Sequence, residues 1–343
     1  MGKLTTIGRT LMALMPAGLV ARISPKRDIY RGEMIDPKAY AMGKLVKHMR
    51  EKDGIPSVED GRKMLRDIAD KLDVKVKVAK IQDLTLDGAD GPLEARLYSD
   101  NPDATGAQPA MLYFHGGGFM QGDLESHHHT CCKLAKWWGG VVIAVNYRHA
   151  PEDPFPAAPE DCQAAFNAVV RRAGELGLDP ARIGVGGDSS GGNLSAVTAQ
   201  QMAGRDGPKV AFQVLIYPVL DVTLSNPSVA EHGEDYMLPP EMIEWFMSTY
   251  LGDWTDKKDP RRSPMFGDNF ADLPITYMLT AGFDPLVNDG EIYVKKLQEA
   301  GVDVTHRHYP GQIHGFISMT KAIPQGMQAL REIAAWLKKT AVP

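Results

Sequence analysis

Cysteine is scarce in this sequence: Cys131, Cys132 and Cys162 are the only three in 343 residues. An odd and small count excludes a disulfide framework and points to a reducing compartment, so a cytoplasmic location is expected. Long hydrophobic runs are lacking too. The longest, "LMALMPAGLVA" at 11–21, is too short to span a bilayer and contains Pro16. Lys3 and Arg9 precede it, as in a secretory leader, but no small-x-small cleavage site follows. A helix packed on the body of the protein is the simpler expectation. Neither sign of charge dominates. With 38 Lys+Arg against 43 Asp+Glu, a net charge of -5 and a pI near 6.1, the chain has no electrostatic footprint for nucleic acid or an anionic membrane. Repeats and low-complexity segments are absent as well. What remains is 43% apolar and 24% charged, the balance of a globular protein, and long enough for one large domain with an appendage.

The first 75 residues read as helical, with no strand signal. "YAMGKLVKHM" sets Met42, Leu45, Val46 and Met49 at helical spacing. "SVEDGRKMLRDIADKL" offers Ser57 as an N-cap, with Met64, Leu65, Ile68 and Leu72 on one face. From about residue 78 the texture changes. "VAKIQDLTL" and "LEARLYS", separated by "DGADGP", read as an antiparallel pair. Short apolar runs then alternate with helical segments: "AMLYFHG", "VVIAVNY", "RIGVGG", "VAFQVLIYP", "ITYMLTA" and "VTHRHYP". Several are apolar throughout, as strands covered on both faces must be. The alternation predicts an α/β fold with a mostly parallel central sheet flanked by helices. Nearly sixty residues between "LIYP" and "ITYMLTA" carry no strand, and "LPPEMIEWFMSTYLGD" among them reads as a helix starting after Pro239 and Pro240. Such an insertion, with the N-terminal helices, could cover one end of the sheet.

Residues 184–193 read "GVGGDSSGGN", a glycine-rich turn between a strand and a helix. A dinucleotide site would need G-x-G-x-x-G, but from Gly184 and Gly186 the third position is Ser189. A phosphate-binding P-loop would need Gly-Lys-Ser/Thr, which is missing. A nucleophile elbow, G-x-S-x-G, fits. There a serine occupies a strained turn, and the residues two before and two after must be tiny because strand and helix converge. Ser189 has Gly187 and Gly191 at those places, whereas Ser190 has Asp188 two before it. Ser189 is therefore the expected nucleophile, and the N–H of Ser190 is left to face a developing oxyanion.

"YFHGGGFMQGD" at 113–123 supplies the matching half. Three glycines after a strand let backbone N–H groups turn towards a ligand, so Gly117 and Gly118 are the expected oxyanion donors. His115 is expected to brace this loop, because in this architecture the base follows the nucleophile and the acid in the chain. That order continues correctly. Asp284 closes the "ITYMLTA" strand, while its competitor Asp289 falls in the next helix. Of ten histidines, His314 in "PGQIHGF" is the only one after Asp284 on a post-strand loop; His306 and His308 lie within the strand. Phe119, Asp188 and Tyr217, beside these segments, are expected to line the substrate pocket.

Together "HGGGF", "YRHAPEDPFPAAPED", "GDSSGGN", "LIYPVLD", "DPL" and "HGF" resemble the hormone-sensitive-lipase-like family of α/β-hydrolases, the bacterial family IV esterases. The resemblance runs from about residue 80 onward. It departs at Ser190, where the family has alanine; only a backbone N–H is needed there. It implies an α/β-hydrolase fold with a helical cap: residues 1–75 as the N-terminal part of the cap, 76–221 and 264–343 as the catalytic domain, and 222–263 as a cap insertion. It further implies a carboxylic ester hydrolase for small to medium acyl esters rather than triglyceride, with Ser189, His314 and Asp284 as triad and no cofactor. An amidase or lactonase with the same triad, or a non-catalytic binder of small apolar ligands, are the rivals. The expected partner is a small-molecule ester, with a homodimer left open. "HHHTCC" at 127–132 invites a zinc reading, but consecutive helical residues point about 100° apart and cannot share one ion, so no metal site is expected. The seventeen methionines include Met12, Met15, Met34, Met237, Met242 and Met247 in the proposed cap, where they could form an adaptable apolar wall or simply pack it.

Overall fold

The apolar runs become the strands of one sheet. The computed structural model describes residues 15–232 and 236–340. Eight strands, β3 (Lys80–Gly88), β4 (Gly91–Ser99), β5 (Gln108–Phe114), β6 (Val141–Val145), β7 (Leu178–Asp188), β8 (Phe212–Ile216), β9 (Ile275–Phe283) and β10 (Val304–Ile313), pair in the order β10-β9-β8-β7-β5-β6-β4-β3. The six from β5 to β10 run parallel; β4 is antiparallel to both β6 and β3. β6 and β8 are buried at every position, because helices cover both faces. Alternate residues feed two separate cores: Leu112 and Phe114 of β5 face one, Met111 and Tyr113 the other. At roughly 1.5–3 kcal/mol for each large side chain fully buried, these two layers are the main source of stability.

Helices α4 (His128–Trp138) and α10 (Gln325–Thr340) lie together on one face, and α5 (Ala157–Arg171) and α6 (Ser190–Met202) on the other. α9 (Val287–Glu299) joins β9 to β10. No strand occurs among the described residues between β8 and β9. That stretch carries α7 (Pro227–Glu231) and α8 (Pro240–Leu251), the latter entered through Pro239 and Pro240 as the sequence indicates.

The N-terminal stretch carries α1 (Ala17–Ile23), α2 (Pro37–Asp53) and α3 (Val58–Leu72), but it is not wholly helical. A short hairpin, β1 (Ile29–Tyr30) with β2 (Glu33–Met34), intervenes. Two-residue strands are too short to show a period of two, so the pattern hid them. The start of the apolar run at 11–21 lies outside the described residues.

α3 is fastened at both ends. Ser57 caps it, its hydroxyl accepting from the Asp60 N–H at 3.1 Å. Near this end Arg62 donates to the carbonyls of Met120 at 2.8 Å and Ala150 at 3.3 Å, and Gly61 gives room to the Gln121 side chain. At the other end the Leu72 carbonyl accepts from the Lys321 N–H at 2.9 Å. Beside it, buried Asp73 pairs with buried Lys133 at 2.6 Å and accepts from the Thr320 hydroxyl. Between α2, α3 and α8 lies a cavity of about 480 Å³, walled by Met42, Met49, Met64, Met237, Met242 and Met319.

Candidate active site

β7 ends at Asp188 and α6 begins at Ser190, leaving Ser189 to make the whole turn. Its backbone takes φ 55 and ψ -118, a conformation few side-chain-bearing residues adopt. The turn is held by the Ser189 N–H donating to Ile216 at 2.9 Å and its carbonyl accepting from Asn193 at 3.1 Å. A Cβ on Gly187 would stand 2.3 Å from the Phe114 carbonyl oxygen, and one on Gly191 only 1.9 Å from the same atom. Both flanking glycines are therefore demanded by the backbone of β5, which carries the other glycine loop.

Three elements converge on the Ser189 hydroxyl. His314, on the loop leaving β10, has Nε2 2.9 Å from Ser189 Oγ. Its Nδ1 lies 2.7 Å from Asp284 Oδ2 at the end of β9. Asp284 is fully buried, and its other oxygen accepts from the Leu286 N–H at 2.9 Å. The acid is thus fixed before the base arrives. Asp289 lies elsewhere, inside α9, accepting from the N–H groups of Leu220 and Asp221 and from Asn226 at 2.6–3.0 Å. Burial pushes its carboxyl up to about 7. It fastens the start of the β8–β9 segment to α9. His306 and His308 both face Thr280 Oγ1, at 2.8 and 2.9 Å, within the sheet.

The glycine loop after β5 stands opposite. Gly117 (φ 124) and Gly118 (φ 63) both have left-handed backbones. Among the described residues their N–H groups meet no protein acceptor. A Cβ on Gly118 would lie 2.5 Å from the Phe246 ring of α8, so that helix sits directly on the loop. Behind the loop His115 is buried. Tyr147 donates to its carbonyl at 2.7 Å, and its ring nitrogens contact Gly116 O at 3.0 Å and His149 Nε2 at 3.3 Å. Burial, with His149 and His127 alongside, pushes the imidazole well below the ordinary histidine range, so it stays neutral.

A strained serine bonded to a histidine, itself bonded to a buried aspartate and opposite unpaired amides, can perform nucleophilic acyl transfer. A family model described as alpha/beta hydrolase fold matches residues 111–318, more than half of the chain. The chain is 38% identical over 287 residues to Esterase LipI of Mycobacterium tuberculosis, covering 81% of this chain and 89% of that protein. It belongs to the hormone-sensitive-lipase-like esterase family of α/β-hydrolases. Over 255 residues it is 40% identical to the Ethyl acetate hydrolase of Pseudomonas putida, with 73% and 80% coverage of the two chains. Among solved structures, an ester-hydrolase from the metagenome of Lake Arreo, complexed with a bipyridine phosphonate derivative, superposes with a TM-score of 0.84 at 37% identity. That match covers 89% of this chain and 99% of the other. An esterase from Pyrobaculum calidifontis gives a TM-score of 0.78 at 35% identity, with 87% and 99% covered.

In this α/β-hydrolase, three residues expected to line a pocket are buried within the site's framework. Asp188 points back towards the glycine loop, where its Oδ1 accepts from Tyr113 Oη at 2.7 Å and the Gly116 N–H at 3.1 Å. Asp188 is only 5% exposed. Phe119 is fully buried and stacks on Tyr250 at 3.8 Å. Tyr217 is 1% exposed, its ring 4.7 Å from that of His314, where it backs the imidazole. The histidine run also separates. His127 sits 3.2 Å from Asp188, and His128 contacts Tyr98 Oη at 3.2 Å. Among the described residues no group of three or more His, Cys, Asp or Glu could hold a metal ion. Sequence reasoning missed His127 and Tyr113 as members of the site's frame, since partners 61 and 75 residues from Asp188 leave no local signal. Asn193 closes the "GDSSGGN" motif. Its Nδ2 donates to the carbonyls of Val219 and Arg262, both at 2.7 Å, tying the elbow helix to the β8–β9 segment.

Proposed function

We propose that this α/β-hydrolase cleaves carboxylic esters of small to medium acyl chain through Ser189, His314 and Asp284. The observation that carries this reading is the unbroken chain of contacts, 2.9 Å from Ser189 to His314 and 2.7 Å from His314 to Asp284. Ser189 Oγ attacks the ester carbonyl while His314 Nε2 takes its proton. The N–H groups of Gly117, Gly118 and Ser190 receive the tetrahedral oxyanion, each such donor being worth about 10²–10³ in rate. His314 returns the proton to the departing alkoxide, leaving an acyl-enzyme and a free alcohol. Water, deprotonated by His314, then releases the acid and restores Ser189. Asp284 holds the imidazole in the required tautomer and steadies its cation. No step in this cycle calls for a cofactor.

The helices over the sheet, residues 1–75 with 222–263, form a cap in this reading, and its methionine-walled cavity of about 480 Å³ gives an acyl chain an adaptable apolar site. Cys131, Cys132 and Cys162 are all free and buried, which supports a cytoplasmic setting. Relatives named for esters, and a hydroxyl bonded to its base, favour hydrolysis of esters over simple ligand binding.

The test compares neighbouring serines. Ser189→Ala should fold normally and lose up to about 10⁶ in turnover. Ser190→Ala should keep most activity, because alanine has the same N–H. A fluorophosphonate probe should label Ser189. Labelling of Ser190, or an inactive Ser190→Ala, would show the elbow to be misread.

A further inference from the structure

The "HHHTCC" run has a use that zinc does not explain. His127, at the start of α4, is 5% exposed and points inward to Asp188, also 5% exposed. Asp188 Oδ1 then has three neighbours: Tyr113 Oη at 2.7 Å, the Gly116 N–H at 3.1 Å and His127 Nε2 at 3.2 Å. Asp188 directly precedes the nucleophile Ser189, and Gly116 directly precedes the oxyanion donor Gly117. One carboxylate therefore spans both halves of the site. It also sets a negative charge beside the place where the transition state must gather negative charge.

The hydrogen bonds around His127 indicate how that charge is offset. Ser126 Oγ accepts from the Asp123 N–H at 2.8 Å and lies 3.0 Å from both Asp123 O and His127 Nδ1. A hydroxyl has one proton, and Asp123 O can only accept, so both contacts are hydrogen bonds only when that proton goes to Asp123 O. In that arrangement His127 Nδ1 donates to Ser126 Oγ. Its Nε2 stands at ion-pair distance, 3.2 Å, from Asp188 Oδ1, and since a carboxylate oxygen only accepts, that contact is favourable when Nε2 carries a proton. An imidazole that donates from both nitrogens is an imidazolium.

We propose that His127 is a positioning residue held as a cation, which neutralises Asp188 and so keeps the oxyanion hole usable. This rests on the reading of Ser189, Gly117 and Gly118 given above. Opposing influences meet at His127. Burial, and the N-terminal end of α4, disfavour its charge, but Asp188 across the sheet end and Asp123 and Asp73 nearby raise it above the usual histidine value. Tyr113 and His115, the other ionisable groups packed against it, remain neutral. Burial would raise the Asp188 carboxyl, yet His127, Tyr113 and Gly116 together hold it below the ordinary aspartate range.

The test joins kinetics to a direct observation of the ring. His127→Gln keeps a donor near Asp188 but removes the cation. It should lower kcat by about 10- to 100-fold with KM nearly unchanged, because the bare carboxylate opposes the oxyanion and not the bound ester. Asp188→Asn added to His127→Gln should recover a large part of that loss by removing the uncompensated charge. A normal kcat in His127→Gln, or a double variant worse than the single one, would overturn the proposal. Should His127→Gln fail to fold, the wild-type protein still decides. Imidazole nitrogen-15 shifts at neutral pH should show both His127 nitrogens protonated, and a neutral tautomer would refute it. This spectroscopic readout needs no turnover, so it separates failure here from failure of the Ser189 assignment, which the fluorophosphonate probe tests independently.

Discussion

Gly191 shows how little freedom the elbow leaves a single residue. A methyl group there would lie 1.9 Å from the Phe114 carbonyl oxygen, and strand backbone cannot step aside. Gly191→Ala should therefore cost more than about 3 kcal/mol and give inactive or insoluble protein, checked by expression yield and thermal midpoint. A second residue-scale effect concerns pH. Burial pushes the His149 imidazole down from the usual 6.5 to about 4. Its folded value is depressed, so the unfolded chain takes up the proton first. Stability is whole above about pH 6.5 and is lost as pH falls towards 4, by on the order of 2 kcal/mol after allowance for partial exposure. His149→Gln should flatten this loss, which urea midpoints at pH 7 and pH 4.5 would measure. At this scale the proposed triad could be read in advance, because chain order and glycine spacing are properties of sequence, and the structure brings Ser189, His314 and Asp284 within hydrogen-bond distance. The duty of Asp188 could not. Its neighbours Ser189 and Ser190 advertised a pocket, whereas its partners come from β5 and from the start of α4.

At the scale of elements, the strands were the clearest feature. β6 and β8 are buried on both faces and so appear as unbroken apolar runs. β7 begins at Leu178, four residues before its apolar stretch, because "LDPA" looks like a turn and pairs only through Gln108 with Leu178. The hairpin of β1 and β2 was hidden by its length. What the sequence could not show is that α3 supports the glycine loop, through Arg62 on the carbonyls of Met120 and Ala150. Arg62→Ala should lower activity by less than about tenfold and destabilise by about 1–2 kcal/mol, since charged hydrogen bonds to carbonyls are lost. Hydrogen exchange should speed up at the amides of Met120 and Gln121, which are bonded to the Gly117 carbonyl. Unchanged exchange there would mean that α3 only rests on the loop.

At the scale of the whole molecule, the parallel sheet brings segments from residues 115, 189, 284 and 314 to one end, which is why four distant motifs could be read as one site. The proposed cap could be read only as helical stretches; the walls of its cavity come from α2, α3, α8 and the residues beside them. The fastening of α3 at Arg62 and again at Asp73 and Leu72 has a consequence for how the enzyme meets its substrate. A cover pinned at two points along one helix cannot swing clear as a unit when it touches a lipid droplet. In the proposed function, dissolved esters would instead be taken up singly. Rate against substrate concentration should therefore saturate smoothly while the ester is still monomeric, with no jump where micelles begin. A steep rise at the solubility limit, measured with a short- and a medium-chain ester, would show that this helix lets go.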